Sequence, residues 1–249
     1  MRKIVRINKV IFKADLHIHS VLSPCGDLEM SPSAIIAEAK SKGLNIIGIS
    51  DHNSTRNALV TSKIGQKNDV FVLCGAEVTT KEEVHCLCFM PDENTLLEFQ
   101  NFLDSKYIFF QNDPDKFGYQ LVVDEEENIV DQIDTLLINA IDCGIEDLQK
   151  KVYELNGIFI PAHVDKPRFS LSSQLVFIPE NLKFDALELS KYAEKNNFLQ
   201  NFSWFSPNRF ITSSDAHYIP DIGTVYTELE METPSFENIR LALKNIKPR

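Results

Sequence analysis

Short apolar runs recur along this chain, and many of them end on a polar lip rich in histidine and carboxylate. The first, Val10–His19, closes with Asp15-Leu16-His17-Ile18-His19. Side chains two apart on a strand share a face, so His17 and His19 project together while Leu16 and Ile18 can pack into a core behind them. Ser20–Met30 reads as a loop. Ser31 as N-cap, Pro32 at the first helical position and Gly43 past the end then frame a helix, with Ile35, Ile36, Ala39 and the later Leu44 as its buried stripe. Asn45–Ser50 reads as a buried strand ending in Asp51-His52, and a polar, helical segment runs on to Asn68. Val70–Cys74 is the next strand, ending at Gly75-Ala76-Glu77. Seven residues separate Glu77 from His85, too few for a helical crossover, so the run Val84–Met90 returns as a hairpin and the sheet is not purely parallel.

The pattern loosens over residues 91–156, which read as an insertion on the scaffold within a single domain spanning 1–249. Leu96, Leu97, Phe99 and Leu103 suggest a short helix. Gln120–Val123 and a strand near Ile129 flank the acidic turn Asp124–Asn128. Ile133, Leu136, Leu137 and Ala140 have helical spacing, and Ile145–Leu155 gives another helix stopped by Gly157. Regularity then returns. Gly157–Ile160 is a strand ending in Pro161-Ala162-His163, Ala186–Leu189 is a strand containing Glu188, and Arg209–Thr212 ends in Ser213-Ser214-Asp215-Ala216-His217. Helical stretches fall around Tyr192–Phe205 and Phe236–Ile246.

Composition adds limits. The chain has 249 residues, enough to bury a substantial core, and its 43% hydrophobic and 24% charged content is that of an ordinary globular protein. A net charge of −11 argues against a broad nucleic-acid footprint, although bound divalent cations can reverse the field locally. Arg6, Asn8 and Lys9 interrupt any signal-peptide core, and no stretch has the length of a membrane span. Five cysteines without a C-x-x-C pair read as reduced thiols, hence a cytoplasmic protein.

The candidate chemistry sits at the strand ends. All six histidines, His17, His19, His52, His85, His163 and His217, fall there, and none falls in a helix or in the insertion. Asp15, Asp27, Asp51, Glu77 and Asp215 share these neighbourhoods, and Asp215-Ala-His217 repeats the two-residue spacing of the first motif. Enzymes of the β/α-barrel type build their sites on the loops at that end. Mixed imidazole and carboxylate donors suit zinc, manganese or iron, and the nine candidate ligands (the six histidines with Asp27, Glu77 and Asp215) exceed one ion's coordination, so two to three divalent ions are expected.

His-x-His after an opening strand, Ser-Asp-His-Asn, Gly-Ala-Glu, an isolated His, Pro-Ala-His and Ser-Asp-Ala-His closely resemble the motif series of the PHP (polymerase and histidinol phosphatase) domain. The resemblance runs from about Phe12 to the C-terminus and weakens across the insertion. It implies an α/β fold, a distorted seven-stranded (β/α)7 barrel, with a trinuclear metal centre. By the same resemblance His17, His19 and Asp215 would hold the first metal, with Glu77 bridging it to a second. His85 and His163 would complete the second, and His52 and His217 would hold a third with a carboxylate from the loop after the first motif. Here that loop reads Ser23-Pro24-Cys25-Gly26-Asp27 where many members have Ser-Asp-Gly, leaving Asp27 or the Cys25 thiolate for the third metal.

The expected activity is metal-dependent phosphoester hydrolysis through a metal-bridging hydroxide, with Asp215 and His217 at the reacting centre. Arg168, five residues past His163, is the candidate phosphate clamp and Arg56 a weaker one, against the alternative of ordinary loop arginines. Glu188 could support the site from its strand, Lys166 and Lys191 read as surface residues, and Cys86 and Cys88 as core. Between Gln111 and Asp134 eight carboxylates face one basic residue, Lys116. That balance favours a small phosphomonoester or nucleotide over extended nucleic acid. The rivals are a 3′–5′ nuclease and a regulatory metal-binding module without hydrolysis.

Overall fold

The structure, a computed structural model, describes residues 9–175, 177–205 and 209–246. Its strands are β1 (Val10–Ile18), β2 (Ile46–Ile49), β3 (Phe71–Thr79), β4 (His85–Met90), β5 (Leu121–Val123), β6 (Ile129–Gln132), β7 (Ile158–Pro161), β8 (Leu187–Leu189), β9 (Phe210–Thr212) and β10 (Thr227–Met231). Six of them form one curled sheet in the order β10-β1-β2-β3-β4-β7; β5–β6 and β8–β9 are separate two-stranded pairs. β1, β2 and β3 run parallel, whereas β4 is antiparallel to both β3 and β7. β1, β2, β3 and β7 therefore end at one rim, and β4, running the other way, begins there. This is why His85 opens its strand while the other histidines lie at or just past the ends of theirs.

The expected ring of seven strands does not form as one sheet. β8 and β9 are three residues long, and they join the curl through single hydrogen bonds: Asp185 N to Phe159 O, Val164 N to Glu188 O, and the reciprocal pair between Ala216 and the end of β1. The edge of β1 is taken instead by antiparallel β10, where Leu229 and Met231 point inward and Glu228 and Glu230 outward. That strand, with its period-two alternation, is absent from the sequence reading.

Three apolar layers position the rim. Leu16, Ile46, Leu87, Phe89, Ile158 and Ile160 belong to one cluster, which the helix Phe236–Asn245 joins through Ile239 and Leu243. Outside it, helices Pro32–Ser41 and Ala58–Lys67 pack on β1–β3, and helices Glu93–Lys106 and Ile145–Glu154 pack on β4 and β7. Leu16 and Ile18 do not share a core as expected. Leu16 lies in the first cluster and Ile18 in the outer layer beside Ile35 and Ile49. A register shift between Asp15 and Ile18 reverses the alternation there, as a β-bulge does.

Residues 91–156 supply those two outer helices and a strap across the rim. Ile133–Ala140 is not helical, despite its spacing. The buried Gln120 donates to the carbonyls of Ile133 (2.6 Å) and Thr135 (2.8 Å) and accepts from Leu137 N (2.8 Å), holding the segment extended. Asn53 donates to the carbonyls of Leu137 and Asn139, and Asn57 to that of Leu121, so the strap is stitched to residues just past β2.

Candidate metal centre

At the rim, the Glu77 carboxylate is almost wholly buried and ringed by imidazole. Its Oε1 lies 2.9 Å from His85 Nδ1, 3.1 Å from His163 Nε2 and 3.3 Å from His17 Nε2. Its Oε2 lies 3.2 Å from His52 Nδ1 and 3.5 Å from His19 Nε2. Asp215 closes the other side, with Oδ1 3.4 Å from His17 Nε2 and 3.5 Å from His19 Nε2. His217 stacks on His19 with ring centroids 4.2 Å apart. Among the described residues three donor triads emerge: His17–His19–Glu77, His52–Glu77–His85 and His19–His52–His217.

The ring orientations are fixed from behind. His17 Nδ1–H donates to Glu188 Oε2 at 3.0 Å, aiming the Nε2 lone pair into the cluster. His19 Nδ1–H donates to Ser23 Oγ (2.9 Å), whose own hydroxyl donates to Asp51 Oδ1 (2.7 Å). His217 Nδ1–H donates to the Asp215 carbonyl at 2.9 Å. Ligating histidines are held in this way through their second nitrogen. Asp15 and Asp51 are braces here. Asp15 accepts from Ser214 N and Gly223 N, and Asp51 from Ser20 and Ser23. His163 and Asp215 both have positive φ (31° and 53°), a backbone strain that gathers at functional sites.

The donor set fits a cation. His17 Nε2 and His19 Nε2 face each other at 3.2 Å. Two nitrogens bound to one ion at about 2.0–2.1 Å stand about 2.9–3.4 Å apart. The titration behaviour agrees. Burial, with His217 beside it, pushes His19 down to about 3, and burial likewise lowers His52, so both present lone pairs. Burial opposes charge on His17, but Glu188, Glu77 and Asp215 outweigh it and raise its affinity for a positive charge at Nε2, a place a bound cation would take from the proton. Burial also opposes ionisation of Glu77 and Asp215, yet the facing histidines keep both carboxyls well below the usual carboxylate range.

Of the residues singled out in the sequence, all six histidines, Glu77 and Asp215 converge. Asp27 does not. Its Oδ1 accepts from Glu29 N (2.8 Å), and it touches the cluster only by its backbone N–H, which donates to the His217 carbonyl (2.9 Å). Cys25 is the loop residue whose thiol feels the centre, pushed up by burial and then by Glu77, Asp215 and Asp51. Arg56 is turned away and paired with Asp104 through both guanidinium nitrogens (3.2 and 2.9 Å). Arg168 is exposed on the loop after His163 and, among the described residues, makes no contact with the cluster. The residue missed is Lys166, whose Nζ lies 2.5 Å from Asp215 Oδ2. Lys166 N donates to the His163 carbonyl, a turn that folds the side chain back over the rim. Its place three residues past a candidate ligand was the available signal. Lys191 is not a free surface residue either, since its Nζ lies 3.3 Å from Asp221.

Known proteins resemble this chain in sequence and in fold. The chain is 27% identical over 93% of its length to the uncharacterized protein YqxK of Bacillus subtilis, and spans 61% of that relative. It superposes on the lesion-specific endonuclease PfuEndoQ of Pyrococcus furiosus with a TM-score of 0.73 at 23% identity, covering 95% of this chain and 56% of the endonuclease. It also superposes, with a TM-score of 0.61 at 17% identity, on a protein assigned as a metal-dependent phosphoesterase of Bifidobacterium adolescentis, covering 92% of this chain and 95% of that one. Endonuclease Q in complex with a 27-mer duplex carrying an abasic lesion aligns with a TM-score of 0.71 at 24% identity, over 95% of this chain and 57% of that one. That complex overturns the expectation of a small phosphorylated substrate and no extended nucleic acid. Net charge is a sum over the whole surface, so a value of −11 does not exclude nucleic acid at a local site. No helix among the described residues is long and apolar enough to cross a membrane. Family models match at residues 15–198 (PHP domain) and 208–248 (PHP-associated), and the second carries Asp215 and His217 into the same centre through the β8–β9 and β1–β10 pairings. With nearly three quarters of its length matched by the first model, the chain belongs to the PHP domain family.

Proposed function

We propose that this chain is a metal-dependent phosphodiesterase acting on nucleic acid. The observation that carries the reading is the buried Glu77 carboxylate, whose two oxygens face different sets of histidines and so can bridge two ions. The likeness in fold to the endonuclease, over 95% of the chain, supports a polynucleotide as substrate. His17, His19, Asp215, His52, His85, His163 and His217 would complete two to three divalent cation sites around Glu77. Cations held there would supply an activated water and neutralise charge on the phosphoryl oxygens.

The protein's own part is positioning. Glu188 holds the His17 ring, and the Ser23–Asp51 pair holds that of His19. Lys166, half-buried and spending one of its three donors on Asp215, has others to offer a phosphoryl oxygen as negative charge accumulates. The acidic strap does not forbid this, because the local field depends on the bound cations.

The test uses end-labelled oligonucleotides: undamaged duplex, duplex with one abasic site, and single strand, each with protein loaded with Mn²⁺ or Zn²⁺. Cleavage of at least one is expected, together with a loss of ~10²–10³ in kcat/KM for Lys166→Met, the size of losing one donor to developing charge. Failure to cleave any polynucleotide by protein of verified metal content would overturn the proposal.

A further inference from the structure

Phe169 sits at the rim in a conformation that packing alone does not explain. Its φ is 56°, the left-handed region that a bulky residue avoids. The residue is 41% exposed although it lies beside the centre. One face stacks on His85, with centroids 4.9 Å apart and planes 23° from parallel.

The loop that carries it is over-determined. The Phe169 carbonyl accepts from His85 N (3.0 Å), Ser170 Oγ donates to the Lys166 carbonyl (2.6 Å), and Ser172 Oγ donates to that of Val164 (2.5 Å). Asp165 accepts from both the N–H and the hydroxyl of Ser190, each at 2.6 Å. Such a frame keeps an apolar ring at a polar mouth at a cost in strain and exposure, the signature of a site that serves a ligand. Lys166, three residues earlier on the same loop, reaches the centre. The loop thus presents a cation inward and an aromatic ring beside it.

We infer that Phe169 is a base-stacking residue, its face receiving the nucleobase next to the phosphate held at the metal centre. Among phosphate esters, a nucleotide carries a planar ring one sugar away from its phosphorus. Base–aromatic stacking is tolerant of sequence and strong enough to set affinity. The inference rests on the nucleic-acid reading and names the residue that would select a nucleotide over a base-free ester.

Phe169→Leu keeps an apolar cover over His85 but removes the π face, whereas Phe169→Trp enlarges it. Wild type and both variants are compared on an oligonucleotide and on bis(p-nitrophenyl) phosphate, which has no base. In parallel, metal-loaded protein is titrated into a cleavage-resistant phosphorothioate oligonucleotide carrying 2-aminopurine, whose fluorescence falls on stacking. The ratio of the two kcat/KM values should fall roughly ten- to a hundred-fold in the Leu variant and be retained in Trp. Quenching seen with wild type should disappear with Leu. An equal loss on both substrates would make Phe169 a shield for His85, and no change would make it a bystander; either overturns the inference. Should wild type bind and quench this oligonucleotide without cleaving the unmodified one, the proposed activity fails while the stacking role stands. Absence of quenching by wild type removes the stacking role, whatever the activity.

Discussion

Glu188→Gln isolates what the orientation of one histidine contributes. Glu188 is buried, lies 3.0 and 3.2 Å from His17 Nδ1 through its two oxygens, and accepts from His163 N at 3.0 Å. Glutamine keeps the volume but has one acceptor oxygen. Both short contacts fall on Oε2, so the amide oxygen takes that place and the amide NH₂ is left 3.2 Å from the imidazole N–H, donor against donor. The neutral side chain also removes the carboxylate that leads in raising the proton affinity of His17. With His17 less firmly aimed, metal affinity should fall about 10- to 100-fold, the range for losing such a support, or about 1.4–2.8 kcal/mol of binding energy. Stripped protein is titrated with Zn²⁺ and with Mn²⁺ against a competing chelator of known affinity. The metal-free variant should melt close to wild type, since no cavity is made. Wild-type metal affinity in a folded Glu188→Gln would refute the idea that Glu188 orients a ligand.

Two further outcomes are expected. Asp27→Ala should leave metal content nearly unchanged, because its carboxylate already serves Glu29 N; a loss of one equivalent by elemental analysis would return Asp27 to the ligand set. Burial raises the Asp185 carboxyl above its ordinary value, so above about pH 4 the folded state binds more protons there than the unfolded state, and stability falls as pH rises. Urea midpoints at pH 5 and pH 7 should therefore differ less in Asp185→Asn than in wild type, and an unchanged difference would count against the shift.

Much of the site was legible because it is written in residue types with few other uses. An imidazole at the end of an apolar run is recoverable from order alone, and six of six converge. What was not legible depends on side chains that meet across the fold. Ile133–Ala140 has helical spacing, but Gln120 captures its backbone from 13 to 17 positions away in sequence. Arg56 is taken by Asp104 on a distant helix, and Asp27 by an amide two residues on. Lys166 looks like any loop lysine until the turn at His163 folds it onto Asp215. The bulge that separates Leu16 from Ile18 has no marker in an otherwise regular alternation. Charge misled for a different reason: a net value of −11 says little about a site whose field is set by what it binds.

If Glu77 joins two cation sites through its two oxygens, elemental analysis of wild type beside Glu77→Gln reads that role out. Both are purified without chelator, and metal is counted per chain alongside circular dichroism. Wild type should carry two to three equivalents of transition metal, and the Gln variant, folded but without the bridging charge, clearly fewer. A wild type that retains no divalent metal under any loading condition, or a Glu77→Gln that retains the full complement, would show that this carboxylate does not join metal sites.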